Sequence, residues 1–444
     1  MGNQLYPLNI GQRLIAYAAL LHPGTPVSNI GGLLLLEDEL DFDLMEKAIK
    51  LCVQRNDSLR LRMVKKKKKF PATSVLFKDV MEQYALEDPP VNVGFLDYSD
   101  KSMAELDAAL LEMNARPIDI FNEPVFEFTM VKAGDGRQGV FTKIDHIATD
   151  AWMSMMHAKE VMEVYYALKK GKELPAAAYP FLPSIEAEQA YTKSDQYQAD
   201  RDFWMSKFTT KPHKTFIYGG KKYPKSKTGK SERYEVRLSP DLCADINTFC
   251  RENAVSPMVL FNQLMAIYLS TVTGSPDVSF NTPAMLRSTL KEKRTCGPHV
   301  NSFLIRTQID ETRTLLEACK QMHSEHMSML RHVRYPTLHL TMEILRKYFM
   351  RALADTLLSF QVARIQTTED VPFETKWYPS GYYASPFTLN VTDMDNTGAL
   401  FLQYEYQTGH FTGEMAEKIH RSLLALLEKS VHEPGIHIRN LYRI

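Results

Sequence analysis

The chain has 444 residues, 44% of them hydrophobic and 24% charged, an ordinary globular composition long enough for two separate cores. Its 53 Lys and Arg balance 53 Asp and Glu, which removes the net positive field that nucleic acid would draw on. Five cysteines (Cys52, Cys243, Cys250, Cys296 and Cys319) with no C-x-x-C pair argue against a disulfide framework or a zinc site and for a reducing cytoplasm.

The first part of the chain alternates helix and strand signals. Ile10 to Leu21 reads as a helix after Asn9, and Gly31 to Glu37 as a buried strand. Asp41 to Arg55 reads as an amphipathic helix, because Leu44, Ala48, Leu51 and Cys52 fall on one side. Ser58 to Met63, Val125 to Val131 and Val140 to Ile144 read as strands, with a helix over Ala104 to Asn114 between them. A longer helix follows from Ala151, with Trp152, Met155, Met156, Val161, Met162 and Tyr165 on its apolar side. Lys169 and Lys170 in its last turn and Gly171 beyond them supply its end.

Glu173 to Ser184, with Pro175, Pro180 and Pro183, reads as an extended connector and the domain boundary, dividing the chain into 1–175 and 176–444. Beyond it come a strand over Glu232 to Leu238, helices over Pro240 to Glu252 and Ser256 to Thr271, and strands around Val278 and Val300. Helices over Leu315 to Arg331 and Ala416 to Lys429, with strands over Phe387 to Val391 and Leu400 to Tyr406, complete the chain. Two mixed α/β halves of comparable size suggest a pseudo-dimer with a cleft between them. No apolar run reaches the roughly eighteen residues of a membrane span. The N-terminus lacks the regions of a signal peptide, and Tyr6 stands where a myristoylation signal needs Ser or Thr.

His146 and Asp150 carry the most chemistry. They lie four residues apart on a tight strand-to-helix connection, a good place to hold an imidazole still inside a cleft. The plainer alternative is that Asp150 only caps the helix and His146 is an ordinary loop residue. The stretch Asp145-His-Ile-Ala-Thr-Asp-Ala151 resembles the core motif of the condensation-domain superfamily, usually H-H-x-x-x-D-G. That superfamily holds the amide-forming domains of nonribosomal peptide synthetases and related acyltransferases. Leu8-Asn-Ile-Gly-Gln12 resembles its first motif and Arg55-Asn-Asp-Ser-Leu-Arg-Leu-Arg62 its second. Asn281-Thr-Pro-Ala-Met-Leu-Arg287 and Gly297-Pro-His-Val-Asn-Ser-Phe-Leu-Ile-Arg306 resemble the later pair, and Leu402 to Tyr406 with Phe411 fits the ending. Essentially the whole chain is covered, in the family's order. Two positions depart from the pattern: Asp145 replaces the first histidine and Ala151 the glycine.

The resemblance implies an α/β fold of two chloramphenicol acetyltransferase-like lobes in a V, with a central tunnel and His146 at its middle. It implies amide formation between carrier-bound thioester donor and amine acceptor, both on phosphopantetheine arms of donor and acceptor peptidyl carrier proteins, with no bound cofactor and a monomeric chain. His146 is then the catalytic residue, as base or as hydrogen-bonding positioner. Asp150 is expected to be a scaffold in a buried salt bridge with Arg287. Asp145 either holds one tautomer of His146 or fills the space of the missing histidine. Ala151 narrows the passage beside the backbone. Trp152 either packs in the core or meets substrate, and Asn301 is either structural or substrate-binding. A free-standing acyltransferase using acyl-CoA, or a silent recruitment module, would share this fold, and the chain is either stand-alone or a segment of a longer synthetase.

Other signals are weaker. Thr228-Gly-Lys-Ser231 resembles the end of a P-loop, but Pro224 stands where the first glycine is required. His323 and His326 share a helical run without a carboxylate set, which argues against a metal, and no G-x-S-x-G elbow offers a serine nucleophile. Lys65 to Lys69 reads as a solvated turn, and Lys221 to Lys230 as a loop able to meet an acidic carrier protein.

Overall fold

The computed structural model describes residues 4–66, 81–219, 228–361, 371–393 and 398–441. Most of the two lysine-rich runs, and Pro224 of the P-loop-like stretch, lie outside the described residues.

Two sheets organise the α/β fold. One is five-stranded, in the order Phe373–Tyr378, Asn29–Leu36, Gln138–Asp145, Phe126–Lys132 and Val93–Asp97. The other has six strands, in the order Val300–Gln308, Asp277–Met285, Thr356–Gln361, Phe387–Thr392, Phe401–Gln407 and Ser231–Arg237. A small third sheet joins Tyr6–Pro7, Met81–Ala85 and Leu61–Lys65. Each large sheet carries its own hydrophobic cluster, which gives two lobes.

The run Leu33–Leu36 shows why one strand must be apolar throughout. Alternate side chains of a strand point to opposite faces, and here both faces are covered. Leu34 and Leu36 pack with Val161 and Tyr165 of the long helix Ala151–Lys169, while Leu33 and Leu35 pack with Leu106, Leu110 and Phe141.

The lobes are stitched together. Phe373–Tyr378 pairs antiparallel with Asn29–Leu36, so a late segment completes the early sheet. Phe181 and Cys296 belong to the early lobe's core. Around Pro180, the expected connector is extended only as far as Phe181. Helix Leu182–Thr192 begins there, with a proline in its first turn, where a missing N–H costs nothing. The Asp57 carboxylate receives the backbone N–H groups of Phe181 and Leu182, which gives the second motif a structural task. Ser58 to Leu59, expected as strand, form a turn instead, and the strand runs over Leu61–Lys65.

Candidate active site

The strand Gln138–Asp145 stops because its last N–H groups turn to other partners. Asp145 N donates to Val125 O at 2.8 Å and His146 N to Ser28 O at 2.7 Å. A tight turn follows, in which Ala148 N donates to Asp145 O at 2.9 Å. The turn brings Thr149 O to 2.7 Å from His146 Nδ1. A carbonyl can only accept, so Nδ1 carries a proton, and in the neutral tautomer this selects, Nε2 keeps its lone pair. His146 is half-buried, and Nε2 has no hydrogen-bond partner among the described residues. The ring is therefore held by one nitrogen and available at the other.

Asp150 does two things at once. Its Oδ1 accepts from Met153 N at 2.8 Å and caps the helix. Its Oδ2 accepts from Arg287 Nη2 at 3.0 Å and from His299 N at 2.8 Å, both contributed by the other half of the chain. The capping and ion-pair readings of this residue thus coexist on its two oxygens. Arg287 is closed in by carbonyls as well: Nη1 donates to Glu292 O and Thr295 O, and Nη2 to Gly297 O at 2.6 Å. Both charged side chains are buried, at 0% and 6% exposure. Burial alone would raise the Asp150 carboxyl, but the Arg287 charge and the two backbone N–H groups outweigh it and hold the acid below its usual range. Gly297 sits at φ +81°, and a Cβ there would lie 2.2 Å from the Phe181 ring. Glycine is required for Arg287 to find that carbonyl.

The remaining expected residues separate. Asp145 is buried and accepts from Ile147 N at 2.8 Å. It does not hold the His146 tautomer, because Thr149 O does. Burial without a cationic partner pushes its carboxyl up to about 7. Ala151 is the first helical residue and half-buried. Trp152 is not core: it is half-buried, and Nε1 donates to Lys293 O at 2.8 Å across the lobe boundary. Asn301 is buried. Its Nδ2 donates to Val333 O and Tyr335 O, each at 2.7 Å, and its Oδ1 accepts from Thr337 N. Those bonds fix the segment from Val333 to Thr337.

Sequence reasoning missed Thr149 O and His299 N, since backbone groups leave no signature in residue type. It also missed Gln12, whose Nε2 donates to Ile147 O at 2.9 Å. The pattern Asn9-x-x-Gln12 is a capping-box signal, and both of its reciprocal bonds are present. Near the loop, a cavity of about 40 Å³ is lined by Ile30, Leu34, Ile144, Met155 and Trp377 among others. All five cysteines are free and buried. Among the described residues, no group of three or more His, Cys, Asp or Glu could hold a metal ion, and no single helix is long and apolar enough to cross a membrane.

An imidazole with one fixed and one available nitrogen thus sits where two α/β lobes are tied by a buried ion pair. The family model described as Condensation domain matches residues 3–442, and the chain belongs to the condensation-domain family. It is 26% identical over 443 residues to a plipastatin synthase of Bacillus subtilis (strain 168), covering 99% of this chain and 17% of that protein. It is 27% identical over 438 residues to surfactin synthase subunit 1 of the same organism, covering 97% of this chain and 12% of that protein. The chain therefore spans under a fifth of the length of these curated relatives. Among solved structures, a mutant starter condensation domain of rhizomide synthetase in complex with C8-CoA and Leu-SNAC aligns with a TM-score of 0.84 at 19% identity, covering 98% of this chain and 96% of that one. The first condensation domain of the calcium-dependent antibiotic synthetase, with a substrate analogue, aligns at 0.83 and 17% identity, covering 98% of each chain.

Proposed function

We propose that the chain catalyses amide bond formation between a carrier-bound acyl or aminoacyl thioester and an amine acceptor, as a condensation domain of nonribosomal peptide synthesis. The single observation that carries this is the His146 ring, with Nδ1 donating to Thr149 O and Nε2 left as an acceptor. The acceptor nitrogen attacks the thioester carbonyl, the C–N bond forms, and Nε2 takes the proton released from that nitrogen. Collapse of the tetrahedral species breaks the C–S bond, and the proton passes to the departing thiolate. The thioester is already activated, so the reaction needs no resident cofactor, and the main task is to bring two tethered reactants together. Both reactants arrive on phosphopantetheine arms of donor and acceptor peptidyl carrier proteins, and a monomeric chain in the cytoplasm suffices.

Asp150 and Arg287 serve as scaffold in this reading, since both carboxylate oxygens and both guanidinium Nη groups are taken by protein partners, each other included. Domain limits of 1–175 and 176–444 keep the His146 loop on the first lobe and Arg287 on the second. A soluble acyl-CoA donor is the second reading, favoured by C8-CoA in the rhizomide synthetase structure. One assay separates the two: loaded donor carrier or free acyl-CoA is offered with the same loaded acceptor, using wild type and His146→Ala. Amide from the loaded carrier, lost in His146→Ala, supports the first reading. Amide from free acyl-CoA alone supports the second, and no amide from either refutes both.

A further inference from the structure

The first motif, Leu8–Gln12, has no part in the chemistry above, yet its polar side chains are among the most deeply buried of the molecule. Asn9 is 1% exposed, and Gln12 and Gln83 are each 0% exposed. Gln12 and Gln83 face each other as a closed amide pair: Gln12 Nε2 donates to Gln83 Oε1 at 2.7 Å, and Gln83 Nε2 to Gln12 Oε1 at 2.6 Å. The second proton of Gln83 Nε2 goes to Pro7 O at 3.0 Å, and that of Gln12 Nε2 to Ile147 O at 2.9 Å. Gln12 Oε1 also accepts from Asn9 N at 3.1 Å. Every amide hydrogen of the pair is used, so neither amide can be flipped without facing donor to donor.

Ile147 directly follows His146, and the same helix start reaches the other lobe. Asn9 Nδ2 donates to Pro298 O at 2.7 Å, and the next residue, His299, gives its N–H to Asp150. Gly11 makes this approach possible, because a Cβ there would stand 2.9 Å from Val300 O. One buried helix start therefore grips the peptide after Ile147 on one side and the peptide before His299 on the other.

We propose that Gln12 is a positioning residue for His146, fixing the Ile147 carbonyl so that Nε2 points at the reacting nitrogen. This rests on the amide-forming reading given above, and Asn9 extends the grip to the Asp150–Arg287 side. Gln12 touches no reactant; it acts through the loop.

The test uses the whole chain with loaded donor and acceptor carriers. Gln12→Met removes the bond to Ile147 O and orphans Gln83, so a second variant, Gln12→Met with Gln83→Met, removes the orphaned amide as well, leaving Pro7 O, Ile147 O and Asn9 N without these partners. Positioning predicts a kcat lower by about 10- to 100-fold with KM little changed. The deficit should persist in the double variant whether or not its melting temperature recovers. In a His146→Ala background, Gln12→Met should cause no further loss. Recovery of kcat together with stability would overturn the proposal, and so would an equal fold-loss on top of His146→Ala. Wild-type activity of His146→Ala alone would instead sink the amide-forming reading itself and, with it, the residue through which Gln12 acts.

Discussion

Asp145→Asn tests the electrostatics of the His146 loop most sharply. The wild-type carboxyl is buried, its shift is caused by burial, and the Ile147 N–H only partly offsets it. Its folded pKa of about 7, against an ordinary 3.8, makes the ionised form costly by about 4 kcal/mol, at about 1.4 kcal/mol per pH unit. The sign follows from linkage: between pH 4 and 7 the folded chain binds the extra proton, so this group's contribution is full below about pH 4 and lost as pH rises through about 7. Asparagine keeps the acceptor for Ile147 N but adds N–H donors, whose burial costs about 1–3 kcal/mol at every pH. The pH dependence isolates the charge from that constant. From pH 5 to pH 8 the variant should gain about 3 kcal/mol on wild type, measured as the difference in denaturant unfolding free energy at each pH. With about 2.1 cal/mol/K of unfolding entropy per residue, that is a relative rise of roughly 3 °C in melting temperature. A difference that stays flat with pH would refute the reasoning, since it would mean Asp145 is compensated in the fold.

Asp150→Ala should destabilise by about 3–5 kcal/mol, because Arg287 would remain buried among carbonyls without its anion; wild-type thermal stability of a folded Asp150→Ala protein would contradict this. Gly11→Ala should cost about 1–3 kcal/mol through the clash with Val300 O, read as a lower denaturant midpoint. Buried His157 is lowered to about 4, first by burial, and neither ring nitrogen has a partner among the described residues. A lowered histidine keeps its stabilising share above about pH 6.5 and loses it as pH falls towards 4, so His157→Leu should move acid unfolding to lower pH, as followed by circular dichroism.

The fold was legible because hydrophobic period and turn residues agree in most elements. The helix from Ala151, with Asp150 before it and Gly171 after it, needed no tertiary help to be seen. Phe373–Tyr378 was missed, since its mixture of charged and aromatic residues reads as a strand only once Asn29–Leu36 lies beside it. The helix Leu182–Thr192 was hidden by Pro183, a connector signal that is equally a first-turn residue. At the site, His146 and Asp150 stood out by their place on the strand-to-helix turn, Arg287 came only from the resemblance to the condensation-domain family, and the last two meet at 3.0 Å. Trp152 reads as core packing from its helix position, but its Nε1 is claimed by Lys293 O, distant in the chain, while the bonds of Asn301 to Val333 O and Tyr335 O fit the structural one of its two readings. Thr149 O could not have been found by residue type at all.

The central claim is that His146 Nε2 takes a proton during amide formation. It is tested most directly by single-turnover transfer between loaded donor and acceptor carriers, with His146→Ala compared with wild type after both are shown to fold. The account predicts a rate lower by about 10²- to 10⁴-fold, as for loss of a positioned general base. Amide formed by the alanine variant at the wild-type rate would contradict it.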